Sequence, residues 1–496
     1  MDRNPISDLE AVAAMPGLEA LASVLARNVR KASGSAADPA SILIFLAARW
    51  AFGSANRADS AFRTTPLWDV VRQSASSVGR ELPSRAPTMS MLDHLRRAAL
   101  PTLFDELSEA FTLEAVALAR EVGLLAPDPC FRWDEPSPST TIYGDGSIVG
   151  SLSEVSVDDE GTVHGSRAKV RPRIAPRYQG KHGGGGATGL PIAVVGCHGR
   201  QRWQRVILGV GLFFDRNEIG AAMTLLERVI DVAEGGVTHV VYDRLMSGTH
   251  LRQLMTRRVI PVVAMPEAPS NAAHLVLPAE LQRTGYRSAG SREKRKGKGA
   301  RRRPADKVAP KARLATHHIR LVEHDTWAGP CSHEIWAIDG ALVTVAPGET
   351  VSLDSPYVGA EDLFWREESG GSHPIGVHRV PCRRGSFTIE VDYAGDRRGP
   401  RGTKALADHV RPIPEVLAAQ NRIEGLRSDV ESAFSWLKSL LPRNRAGSLK
   451  EDHFALDLIG AGLLVNAIAW DVHASRHTRC AQDEARRRQK GLHRAK

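Results

Sequence analysis

The sequence predicts an α/β fold: a mixed sheet flanked by helices, with a β-rich insertion and an N-terminal helical domain. Three observations predict it. Three β-rich runs, TTIYGDGSIV, LPIAVVGCHG and QRVILGVGLFF, are followed by a helical segment, a strand, a second helix and a further strand. The first 125 residues place their apolar side chains at helical spacing. Strand-like alternation returns beyond residue 330 in HEIWAIDG, ALVTVAPG, HPIGVHRVPC and SFTIEVDY.

At 496 residues the chain is too long for one ordinary core, and 42% hydrophobic content is ample for several. A formal charge of +10 favours a polyanionic partner, because cationic side chains on phosphates release condensed counterions. Membrane surfaces compete for that role. The strongest apolar run, SILIFLAARWAFG, is interrupted by Arg49 and too short to span hydrocarbon, so no membrane helix is expected. The start, MDRNPISDLE, lacks a basic segment followed by an apolar stretch, so the expected location is the cytoplasm, in association with the nucleoid. Five scattered cysteines (Cys130, Cys197, Cys331, Cys382, Cys480) suit a reducing compartment. Cys331 with His333, and His378 with Cys382, would supply a Cys2His2 zinc site if two strands brought them together; isolated thiols and surface histidines are the plainer reading.

Residues 1–125 form the helical domain, suited to binding DNA ends or to dimerisation. Thr88 or Ser90 can cap the stretch beginning TMSML, and His94, Arg96 and Arg97 give it a basic edge. Residues 135–265 hold the first part of the α/β core. In EIGAAMTLLERVIDVAEGG, Ile219, Ala222, Met223, Leu226, Ile230 and Ala233 mark one helical face between an Asn217 cap and the Gly235 stop. THVVYD resumes a buried strand, and THLRQLMTRR and VIPVVAM add a helix and a strand. Three strands, helix, strand, helix, strand is the order of the ribonuclease H-like fold. A glycine- and base-rich loop separates the first two strands. Residues 266–410 form an insertion that opens with a low-complexity basic run containing Lys294, Arg295, Lys296, Lys298, Arg301, Arg302 and Arg303, suited to tracking phosphates, and continues as a small β subdomain. Residues 411–470 return to the core, and 471–496 are a basic tail.

Two acids fall on predicted strands: Asp145 in the middle of the first and Asp243 at the end of the fourth. Each has a plain alternative, since Asp145 precedes glycine in a possible turn and Asp243 would be able to cap the next helix. The first and fourth strands of such a sheet are neighbours, so both carboxylates would share a site. Asp134, Asp158, Asp159 and Asp215 are poorer candidates, falling in loops or beyond a strand.

The third acid lies in NRIEGLRSDVESAFSWLKSLLPRNR, where Ile423, Leu426, Val430, Phe434, Leu437 and Leu441 recur at helical spacing. At 3.6 residues per turn, Glu431 and Lys438 lie about 40° and about 20° around the axis from Arg427. A carboxylate is thus flanked by two cations. An exposed Arg427–Glu431 pair worth about 0.3 to 0.5 kcal/mol is the ordinary alternative.

Arg, three residues, Glu, six residues, Lys is the C-terminal signature of the bacterial insertion-sequence transposases with a DDE active site, and from about Thr140 to Trp470 the chain resembles that family. Where the family has a tyrosine three positions before the arginine, this chain has Glu424. The resemblance implies that Asp145, Asp243 and Glu431 are catalytic metal ligands, that Arg427 and Lys438 contact phosphate, and that the β-rich insertion lies between the second and third acids. Two Mg²⁺ ions, for which Mn²⁺ substitutes, would activate water or a 3′-hydroxyl and stabilise the leaving oxygen. The expected activity is hydrolysis at element ends followed by joining of the 3′-hydroxyl to target, acting on double-stranded DNA as a homodimer. Trp327 or Trp336 would be able to stack on an extruded base, core packing being the plainer role. The rivals are a ribonuclease H-like metal-dependent nuclease that cuts without joining, and a non-catalytic DNA-binding protein derived from a transposase.

Overall fold

The computed structural model describes residues 4–30, 38–64, 66–99, 102–127, 131–150, 156–157, 163–164, 189–199, 204–213, 218–243, 245–263, 265, 274–276, 311–313, 316–352, 355–368, 371–399, 402–414 and 451–494. The fold is mixed α/β, and its principal sheet holds both antiparallel and parallel strands. The chain divides into two compact units, the first drawn from residues 1–128, 138–237 and 429–496, the second from 129–137 and 238–428.

Among the described residues, the first unit begins with seven helices: α1 (Pro5–Ala14), α2 (Leu18–Arg30), α3 (Pro39–Ala51), α4 (Ala55–Thr64), α5 (Leu67–Ser77), α6 (Met89–Ala99) and α7 (Thr102–Glu121). Local chemistry sets their starts. Asn4 caps α1 by accepting the Ile6 N–H at 3.0 Å, and Asp38 caps α3 by accepting the Ser41 N–H at 2.8 Å; each helix opens on proline, which needs no hydrogen bond there. The SILIFLAARWAFG run is α3, buried from Ala40 to Trp50 because it is apolar on every side. Its one charge, Arg49, is buried in an ion pair with Asp457, which also takes Arg96. The Trp50 indole N–H donates to the Asp457 carbonyl at 2.6 Å. Arg96, read from sequence as part of a basic edge, thus serves the core.

The strands follow: β1 (Thr141–Gly150), the short pair β2 (Ser156–Val157) and β3 (Val163–His164), β4 (Gly189–His198) and β5 (Arg205–Leu212). β1 and β5 flank β4, antiparallel on both sides, with Asp145 opposite Val194. α8 (Glu218–Ala233) packs on β4 and β5, and the Arg120 guanidinium donates to the Ala233 carbonyl at 2.6 Å, a cation at the negative end of the helix. Asn217, the expected cap of α8, lies outside the described residues.

The last helix, α10 (Glu451–Arg494), packs on α3 and β5. The buried Asn466 amide donates to the Ile207 carbonyl at 2.9 Å and accepts the Ile207 N–H at 2.8 Å, so it takes the place of a neighbouring strand on β5. Within α10, His453–Arg476 is long and apolar enough to cross a membrane by length and composition, and most of it is buried inside the fold.

In the second unit, β6 (His239–Tyr242) and β7 (Ile260–Val263) pair in parallel, joined through α9 (Gly248–Met255), and both strands are buried throughout. β8 (His274–Val276) pairs with β9 (Lys311–Arg313). The β subdomain consists of two three-stranded antiparallel sheets, β10 (Thr316–Thr326), β11 (Gly329–Ile338) and β12 (Ala341–Val345), and β13 (Ala360–Glu368), β14 (Gly371–Val380) and β15 (Phe387–Asp392). A hairpin of β16 (Asp396–Gly399) and β17 (Gly402–Ala405) completes it. β10 and β13 carry no strand signal of the kind that marks the other four.

Candidate metal centre

β1 forms because β-branched and aromatic residues make up both ends of TTIYGDGSIV, and it runs unbroken through the Asp-Gly pair. The alternative of a turn at Asp145 therefore fails. Thr141, Ile142 and Tyr143 are buried, Asp145 is half-buried, and its Oδ1 accepts the Gly146 N–H at 3.0 Å. Tyr143 stacks on His198 with ring centroids 4.6 Å apart, which fixes the strand segment leading to Asp145.

Beside Asp145 stands an acid that sequence reasoning passed over. Glu218 is the first residue of α8 and is only 8% exposed. Its carboxylate lies against the β1 backbone where Gly146 has no side chain; a methyl group at that position would collide with it. Glycine at 146 thus leaves room for this approach rather than serving a turn. The carboxylate oxygens of Asp145 and Glu218 come within 4.8 Å of each other. Two charges at that distance repel by about 3 kcal/mol at an effective dielectric near 20, unless a proton or a cation is shared. The amino-terminal end of α8 offsets part of this through its dipole. The available sequence signal was an acid opening the helix directly after β5, but such acids are common as dipole partners.

Asp243 follows the last residue of β6 and is half-buried. Its Oδ1 accepts the Leu245 N–H at 2.8 Å, a local turn that holds the carboxylate at the strand end. It does not cap α9. That helix has its own capping pair, Ser247 with His250, and the Asp408 carboxylate accepts the Gly248 N–H at 2.7 Å. Upstream in β6, His239 is fully buried, its Nε2 3.1 Å from the Trp133 carbonyl and its Nδ1 2.9 Å from the Thr238 hydroxyl. Burial pulls this imidazole down to about 4.

Glu431, Arg427 and Lys438 lie outside the described residues, as do Lys294, Arg295, Lys296, Lys298, Arg301, Arg302 and Arg303. Trp336 is half-buried, and its indole N–H donates to Glu334 at 3.0 Å. Trp327, for which core packing was the plainer expectation, is instead 90% exposed at the β10–β11 turn. Thr326 and Gly329 close that turn, so the indole faces solvent.

Of the four residues considered for zinc, Cys331, His333 and Cys382 come together and His378 does not. His378 is buried with Nδ1 3.1 Å from the Val358 carbonyl and Nε2 2.9 Å from the Tyr393 hydroxyl, so its ring nitrogens are already engaged. No protein-family model matches the chain, and no curated protein matches it.

Proposed function

We propose that the protein is a DDE-type DNA transposase whose metal-binding acids include Asp145, Asp243 and Glu431, with Glu218 beside them. The observation that carries this reading is the pair Asp145 and Glu218, carboxylates of the first unit within 4.8 Å of each other and with the reach to share a divalent ion. It is supported within each unit by the place of the two aspartates, Asp145 inside β1 and Asp243 directly after the buried strand β6. An all-oxygen ligand set suits Mg²⁺ or Mn²⁺ better than a softer metal. The ions would supply the activated oxygen nucleophile and the charge that stabilises the leaving oxygen of an in-line displacement.

In this reading the protein's own residues position the ions. Asp145 sits on a rigid strand, Asp243 is held by its turn, and Glu218 approaches over Gly146. Glu431 would close the set, with Arg427 and Lys438 on phosphates. The basic residues from Lys294 to Arg303 would track the duplex, and exposed Trp327 offers a surface for an unstacked base. A dimer on DNA follows from the need to pair two element ends.

The test uses labelled duplexes carrying the sequences that flank the gene, incubated with the full chain and Mg²⁺. Strand cleavage and joined products are expected with the wild type, and neither with Asp145→Asn or Glu431→Gln. Cleavage that survives both substitutions overturns the assignment. Cleavage without joined products replaces it with the nuclease reading.

A further inference from the structure

We propose that the β subdomain binds a structural zinc ion through Cys331, His333 and Cys382. These residues belong to neither the acidic centre nor its reaction. Cys331 and His333 are two apart on β11 and therefore share a face. Cys382 reaches them from the turn between β14 and β15.

The distances match the ion. Zinc–sulfur bonds of about 2.3 Å and zinc–nitrogen bonds of about 2.0 Å in a tetrahedron separate two sulfurs by about 3.8 Å and a sulfur from a nitrogen by about 3.5 Å. The Cys331 and Cys382 sulfurs are 3.8 Å apart, and the Cys331 sulfur is 3.4 Å from His333 Nε2. Both thiols are free, and their separation is far beyond the roughly 2.05 Å of a disulfide. Three donor atoms therefore surround a space of the size that zinc fills.

The surroundings support each ligand. The Arg384 backbone N–H donates to the Cys382 sulfur at 3.4 Å, which orients it. The Gly385 N–H donates to the Cys382 carbonyl at 3.2 Å, and Gly385 has φ of +118°, a conformation that suits glycine in so tight a turn. Thr344 places its hydroxyl 3.4 Å from His333 Nδ1, which leaves Nε2 toward the sulfurs. A fourth ligand would come from water or from His324. That residue pairs with Cys331 across β10 and β11, so it shares the same face, and its ring stacks on Phe387, which also touches His333. The ion would clip β11 of the first sheet to the β14–β15 turn of the second.

The experiment measures metal content of the full chain, produced without a polyhistidine tag in zinc-supplemented medium and dialysed against a weak chelator. A single zinc equivalent is expected in the wild type and in Asp145→Asn. Cys331→Ser and Cys382→Ser should each lose it, and His324→Ala and Thr344→Val should weaken retention by about tenfold or more. If the serine variants fail to fold, cobalt exchange into the wild type decides, with a thiolate charge-transfer band and tetrahedral d–d bands expected. Zinc-free folded wild type, a Cys331–Cys382 disulfide on mapping without reductant, or cobalt spectra without the thiolate band would overturn the proposal.

Discussion

The acidic group around β1 and the cysteine–histidine group of the β subdomain both consist of side chains of types able to ligate metals, but they are assembled in opposite ways. Cys331 and His333 are neighbours on one strand, Cys382 lies in one hairpin turn, and the backbone N–H groups of that turn serve the sulfur and the carbonyl of Cys382. Asp145 and Glu218 come from a strand and a helix separated in sequence by β2 to β5, and their carboxylates meet over the space that glycine leaves at 146. A short-range set of soft ligands suits a closed structural ion. A long-range set of hard carboxylates suits an ion that must keep room for substrate oxygens.

The largest effect that would break this contrast is on catalysis. Asp145→Asn or Asp243→Asn should lower Mg²⁺-dependent strand cleavage on the order of 10³-fold while the circular-dichroism melt stays close to wild type. Loss of folding instead of activity would make these acids structural, like the cysteine–histidine group.

The next effect concerns the bracing of the strands beneath the acids. Replacing Asn466 by Leu removes both hydrogen bonds to Ile207 and strands two buried backbone groups, which should cost about 4 kcal/mol in denaturant unfolding. A change below about 1 kcal/mol would mean that β5 does not depend on this amide.

His239 provides a pH-dependent test of the strand that leads to Asp243. Its folded value, about 4, lies below the ordinary 6.5, so its native form is neutral and its contribution to stability is complete above pH 6.5. As pH falls from 6.5 toward 4 the unfolded chain gains the proton and the folded chain does not, so stability declines, by about 3 kcal/mol across that window. His239→Gln should flatten this part of the pH profile in thermal melts; an unchanged profile would assign the loss elsewhere.

The smallest effect is the most specific to the acidic site. Gly146→Ala should displace Glu218 and weaken Mn²⁺ binding by about 10- to 100-fold, with little change in the fold. Unaltered Mn²⁺ affinity would remove Glu218 from the site and leave the two aspartates.

Strands that are buried on one face or both were legible in the sequence, because TTIYGDGSIV, THVVYD and HEIWAIDG carry the apolar content or alternation that burial imposes. β13 was not. Its residues, AEDLFWREE, are mostly exposed or half-buried, and ladder hydrogen bonds to β14 hold it without an apolar face to advertise it. β10 was hidden in the same way by His317, Arg320, Glu323 and Asp325 within its span. α3 was legible as a short apolar helix, but the pairing of its Arg49 with Asp457 links residues 408 positions apart and left no local trace. Within the candidate site, Asp145 and Asp243 stood out because charges on buried strands are rare. Glu218 did not, because an acid at a helix start is ordinary and its meaning depends on an absent side chain 72 positions earlier.

The most direct test of the acidic centre is Mn²⁺ titration of the full chain, followed by electron paramagnetic resonance and repeated on Asp145→Asn and Asp243→Asn. Saturable Mn²⁺ binding by the wild type, displaced by Mg²⁺ and weakened at least about tenfold by each substitution, is the predicted result. Equal binding by all three proteins would contradict the account.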